Sequence, residues 1–103
     1  MTPIEHATAQ ACLAAIDRAR VAKWDRAQGA ETALGRAETQ LAALRRTLPG
    51  HARVVRQAQV ALERTRFAVQ TGGTDELLAA ERATATLRAT LSVAVAAEHA
   101  VTV

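Results

Sequence analysis

From His6 onward, apolar and small residues recur alternately three and four positions apart, at His6, Ala9, Leu13, Ile16, Arg20, Lys23, Ala27, Ala30, Leu34, Ala37, Leu41, Leu44 and Leu48. This spacing matches the period at which one α-helix presents a continuous stripe to another. A β-strand cannot use it, because strand side chains change face at every residue. The chain is therefore expected to be all-α. Charge interrupts the seam only at Arg20 and Lys23. Read as continuous, it predicts one long N-terminal helix over about residues 3–48, some 65–70 Å long at about 1.5 Å per residue. Gly29 and Gly35 weaken that helix by roughly 1 kcal/mol each relative to Ala, and the seam leaves open whether it bends at either.

Two breaks punctuate the rest of the chain, Pro49-Gly50 and Gly72-Gly73. Proline cannot continue the helical hydrogen-bond ladder, and glycine ends helices at little conformational cost. They predict two further helices, over about 51–71 and 74–102. The seam runs on through Val55, Ala58, Leu62, Thr65 and Val69, then through Leu77, Ala80, Thr84, Leu87, Leu91, Ala94, Glu98 and Val101. Thr2-Pro3-Ile4-Glu5 has the form of a capping box with proline at the first helical position. Thr74 is expected to cap the last helix, with Asp75 and Glu76 in the first turn where the helix dipole favours acids. The expected architecture is an antiparallel helical bundle or coiled-coil hairpin, forming a single helical domain over residues 1–103.

Composition sharpens this reading. Half of the 103 residues are hydrophobic, yet 26 are alanine and the aromatics are Trp24 and Phe67 alone. Each alanine removes far less area from water than a leucine, at about 25 cal/mol per Å². A solitary bundle is thus expected to be thinly stabilised, and packing against other helices would offset this. One cysteine, Cys12, forms no intrachain disulfide, and with three scattered histidines it provides no zinc-ligand spacing. No apolar run approaches the roughly 20 residues that span a bilayer, and Met1–His6 lacks the start of an export signal. The sequence leaves the location open: cytoplasmic for a whole gene product, and periplasmic or outer-membrane-associated for a segment of an efflux protein.

Charge is uneven. Residues 1–43 are balanced, residues 44–73 carry six arginines and one glutamate, and residues 74–103 carry four acids and two arginines, which reproduces the net charge of +3. Arg53, Arg56 and Arg64 fall within about 80° of one another on the helical wheel and form a candidate basic face, opposite Val55, Leu62 and Val69. Their expected role is pairing with an acidic neighbouring helix.

The stretch Arg66-Phe67-Ala68-Val69-Gln70-Thr71-Gly72-Gly73-Thr74-Asp75-Glu76-Leu77-Leu78-Ala79-Ala80-Glu81-Arg82 resembles a motif of TolC-type outer-membrane efflux proteins. Arg66-Phe67 stands for that family's Arg-aromatic pair, Gly72-Gly73 for its glycine turn, and Leu78–Arg82 for its Leu-Asp-Ala-Gln-Arg-like element. Phe67 replaces the usual Tyr and Glu81 the usual Gln, and the glycines fall about two residues late. Alanine-rich helices and Leu48-Pro49 are similar in character to the heavy-metal-efflux branch, over about residues 36–103. The resemblance implies a periplasmic coiled-coil hairpin whose tip, at Arg66, Phe67, Gly72, Gly73, Thr74, Asp75 and Glu76, meets an adaptor protein. It also implies one part of a duct rather than a whole channel, since no transmembrane strands accompany the helices.

The remaining candidates read as structural. Cys12, beside Leu13 and Ile16, fits a small core hydrophobe. His6 and Cys12 do not share a helical face, His51 is expected at the surface, and His99 suits a helix C-terminus. Arg18, Arg20, Lys23, Asp25 and Arg26 surround Trp24, but intrahelical salt bridges explain that cluster more simply than anionic-substrate binding. No catalytic constellation, metal site or cofactor site is expected, and the chain is read as not an enzyme. Near-absence of aromatics for base stacking and a net charge of only +3 make nucleic-acid binding a weaker third reading. Trp24 is expected to anchor packing, with a partner-binding hot spot as the alternative. The function expected is a coiled-coil interaction module, either the adaptor-docking hairpin of an efflux duct or a free-standing bundle that self-associates or binds a protein partner.

Overall fold

In the computed structural model, described over residues 1–101 and with side-chain surroundings over 1–97, the chain forms four helices: α1 (Pro3–Trp24), α2 (Ala30–Thr47), α3 (Ala52–Thr71) and α4 (Thr74–Val101). The all-α bundle is as expected. The single helix over 3–48 is not, because the chain reverses at Asp25–Gly29 and α2 folds back along α1. The expected extension to Thr102, and the side chains of Glu98, His99 and Val101, lie outside the described residues.

The reversal has a definite geometry. Ala27 N–H donates to the Ala22 carbonyl at 2.8 Å and Arg26 N–H to that of Lys23 at 3.1 Å, with Arg26 left-handed at φ 56°. This nested pair is a Schellman motif, which satisfies two of the carbonyls left open at a helix end. Glycine usually holds the left-handed position; here arginine does. The nearby glycine, Gly29, serves the next helix instead, as the N-cap of α2 at φ 100°.

The other ends follow the sequence reading closely. Glu5 N–H donates to Thr2 Oγ1 at 3.2 Å and Thr2 N–H to Glu5 Oε1 at 2.8 Å, closing the capping box. The Thr2 backbone N–H is the largest influence and, with smaller help from the Thr2 hydroxyl and His51, it outweighs desolvation and holds the Glu5 carboxyl below its ordinary range. The cap is therefore complete at neutral pH and weakens on acidification. Buried Leu48 caps α2 and begins the Pro49-Gly50 turn, with His51 N–H donating to its carbonyl at 3.1 Å. Gly72, left-handed at φ 71°, ends α3. Leu77 N–H donates to the Gly73 carbonyl at 3.1 Å, so Gly73 takes the capping position expected of Thr74.

Two antiparallel hairpins, α1–α2 and α3–α4, pack together through α1 and α3, which also touch each other; among the described residues α2 and α4 do not meet. The cross-section is thus a flattened diamond with α1 and α3 on its short diagonal. The seam positions fill the core: Ile16, Leu44, Leu48, Leu87, Leu91, Thr65, Thr84 and Cys12 are its largest wholly enclosed side chains. Among the described residues, ten of the 23 buried apolar side chains are alanine, which brings helix backbones close and leaves the core thin. Thr84 Oγ1 donates to the Ala80 carbonyl at 2.8 Å, whereas the equally buried Thr65 hydroxyl has no partner. At the margins, Arg88 pairs with Asp17 at 2.6 Å across α4 and α1, and Arg66 pairs with Glu38 across α3 and α2.

Arg26 and Gly29 in the turn, and Gly35 inside α2, respond differently to substitution. Arg26→Gly relieves the left-handed position and should raise unfolding free energy by about 1 kcal/mol. Gly35→Ala, inside α2 with open space around it, should raise it by about 0.5–1 kcal/mol. Gly29→Ala, forced to φ 100°, should lower it by about 1 kcal/mol or more. Urea titrations of the three variants check both sign and size.

Candidate interaction surface at the turn end

Because α1 and α3 run parallel, the α1–α2 turn and the α3–α4 turn lie at the same end of the bundle. A side-chain carbon at Gly72 would sit 3.4 Å from Lys23 Cε, which places the two turns in contact. A shallow groove separates Lys23, Trp24 and Ala27 from Gly72, Thr74 and Leu77. Beneath it, Ala68, Leu77 and Ala80 form a small apolar cluster of their own.

Both aromatic residues of the chain are at this end and both face solvent, Trp24 at 52% and Phe67 at 55% exposure. The expectation that Trp24 anchors packing is therefore corrected. As the last residue of α1 it stands where the chain turns away, and the alanine-lined core closes without it. Val21 and Leu78 are also exposed large apolar side chains in the same region. Of these residue types, Trp and Phe are enriched at protein interfaces, and Trp is among those that most often carry the binding energy.

Of the expected tip residues, Gly72 and Gly73 make the turn, and Thr74, Asp75 and Glu76 open α4. A Cβ at Gly73 would collide with the Glu76 carboxylate, which folds back over the turn. Phe67 stands on the outer face of α3, more than one helical turn before Gly72. Arg66 points instead to α2, where Glu38 holds it. Sequence reasoning placed Trp24 elsewhere and so missed its place in this surface; the charged seam positions Arg20 and Lys23 were the signal that α1 was ending.

The basic face Arg53, Arg56 and Arg64 is exposed, and none of the three makes an ion pair within the chain among the described residues. In the α1 cluster, Arg20 donates to Asp17 at 3.1 Å, three residues away, and Asp17 also receives Arg88, while Arg18, Asp25 and Arg26 lie in solvent. His51, expected at the surface, is half-buried with Nε2 3.9 Å from Glu5 Oε2. No group of three or more metal-ligating side chains converges among the described residues, and no described helix is long and apolar enough to cross a membrane. Cys12 is enclosed in the core, where burial pushes its thiol up to about 11.

These features define an all-α four-helix bundle with Trp24 and Phe67 both exposed towards its turn end. No protein-family model matches the chain, and neither a characterised protein nor a solved structure shows significant similarity to it.

Two outcomes test this description. Trp24→Ala and Phe67→Ala should each change stability by less than about 1 kcal/mol, against about 3–5 kcal/mol for a buried aromatic, as read from denaturant midpoints. Cys12 should react with a thiol reagent only as fast as the protein unfolds. Because the fold keeps that thiol protonated while the unfolded chain ionises it near 9.0, its effect on stability is nil at neutral pH and becomes a loss as pH rises from about 9 towards 11.

Proposed function

We propose that the protein is a non-enzymatic helical interaction module that docks a protein partner through its turn end. One observation carries the reading: the only two aromatic side chains of a chain with a thin, alanine-rich core are both turned outward at the same end. Enclosing such side chains is worth about 1.5–3 kcal/mol each, which a weakly stabilised bundle would gain by keeping them inside. Leaving them exposed is explained by burial in a partner. Lys23 and Arg26 beside the groove suit a partner that brings carboxylates to the rim.

The resemblance to efflux ducts supplies a specific form of this proposal, in which the α3–α4 hairpin docks an adaptor protein around Phe67–Glu76. Its support is the antiparallel hairpin reversing at Gly72-Gly73. Self-association through the same surface is the competing form.

A photo-crosslinking residue at Phe67, with one at exposed Thr39 on α2 as control, separates these forms in cells. Docking predicts a discrete adduct from position 67 that position 39 does not give and that Trp24→Glu abolishes. The adduct mass distinguishes a different partner from a second copy. Identical patterns from the two positions would remove the proposal.

A further inference from the structure

The net positive charge of the chain resides at the end opposite the aromatic surface. Arg45 and Arg46 close α2, Arg53 lies in the first turn of α3, and Arg56 follows one turn later. All four are exposed, and none makes an ion pair or side-chain hydrogen bond among the described residues. Without them the chain holds nine Lys and Arg against ten acids, so the whole excess sits on this elbow. By contrast Arg20, Arg66 and Arg88 are all paired with carboxylates.

The elbow is electrostatically incomplete at α3. His51 provides no side-chain cap, and the first turn contains no acid. An arginine there opposes the helix dipole, which at an N-terminus favours negative charge. Arg45 and Arg46, at the C-terminus of α2, are well placed by the same rule, so the defect belongs to α3 alone.

Arg53 also borders an open trough of about 550 Å³ between the start of α3 and the outer side of α4. Its walls are mostly apolar, with Val54, Ala89, Val93 and Ala94 among them, and Val93 is 69% exposed. A concave apolar strip edged by the unpaired Arg53 and an uncapped helix start, with Arg56 one turn further along α3, calls for one ligand carrying both an apolar stripe and carboxylates. We propose that the α2–α3 elbow and this trough bind an acidic amphipathic helix of a protein partner. Its apolar side chains fill the trough beside Val93, and its carboxylates meet Arg53, Arg56 and the N-terminus of α3. Nucleic acid suits the site less well: both aromatics lie at the other end, so bases have nothing to stack on, and the apolar strip offers phosphates no partner. A flat anionic bilayer would leave the trough unfilled. The site is independent of the turn-end surface.

The test uses a fluorescein-labelled helical peptide of about 20 residues, with Leu on one face and Glu on its flanks. Anisotropy should report binding that weakens at least about tenfold in the Arg53→Glu, Arg56→Glu double variant and between about 50 and 300 mM salt. Val93→Glu should weaken it similarly, and a peptide of the same composition with its stripe scrambled should bind about tenfold less well. The double variant should melt at or above the temperature of the unsubstituted protein, because it places acids at the start of α3, so that loss of binding is separated from loss of fold. Absence of binding would overturn the proposal, as would equal binding by the variants. Tighter binding to heparin or phosphatidylglycerol vesicles than to the peptide would also overturn it.

Discussion

The structure depends on the close approach of α1 and α3 along the short diagonal of the bundle. Each of these helices touches all three others, whereas α2 and α4 do not meet. The buried arcs follow from this arrangement. At about 100° per residue, buried positions cover about 160° of α1 and about 120° of α3, but only about 100° of α2 and 80° of α4. Small residues on the central helices, Ala9, Cys12, Ala15 and Ala19 on α1 and Ala58, Ala61 and Ala68 on α3, allow that approach. Larger side chains along either face would push the hairpins apart and open the core. Alanine enrichment is therefore the steric condition for this diamond, although it also keeps the hydrophobic stabilisation modest.

The seam identified nearly every core position, because periodicity records which residues share a face. It does not record the direction in which the chain runs. Lys23 and Ala30 are one heptad apart, so the Asp25–Gly29 reversal preserves the phase and the pattern looks unbroken across it. The local stop was hidden as well, since the left-handed residue of the Schellman motif is Arg26 where glycine is the usual signal. What the pattern did carry was charge at Arg20 and Lys23, the only two polar interruptions in the first half of the seam, immediately before α1 ends. The Gly72 reversal was legible because glycine occupies its left-handed position, as the rule expects.

The turn-end surface was half legible for the same reason. Gly72, Gly73 and Phe67 are neighbours in sequence, so their common position at a tip can be read directly. Trp24 joins them only through the fold-back. On a continuous helix it would have stood midway along a rod, and nothing in its local sequence says that α1 ends there and returns beside α3. An expectation that the single Trp of a small protein fills its core also fails here, because Trp24 is the last residue of α1 and stands where the chain turns away from the bundle.

The clearest departures from local rules lie towards the two ends of the bundle, although the buried Thr65 hydroxyl without a partner lies in the middle of α3. The middle stretches of the helices keep their apolar positions inside and pair Arg20, Arg66 and Arg88 with carboxylates. The turn end combines a left-handed arginine with two outward aromatics, and the elbow end combines an uncapped helix start with four unpaired arginines. Each departure opposes folding of the isolated chain, and under the two proposals a partner would supply at each end what that chain lacks. The two ends differ in chemistry, one carrying the exposed aromatics and the other basic, and they lie at opposite ends of an envelope 46 Å long.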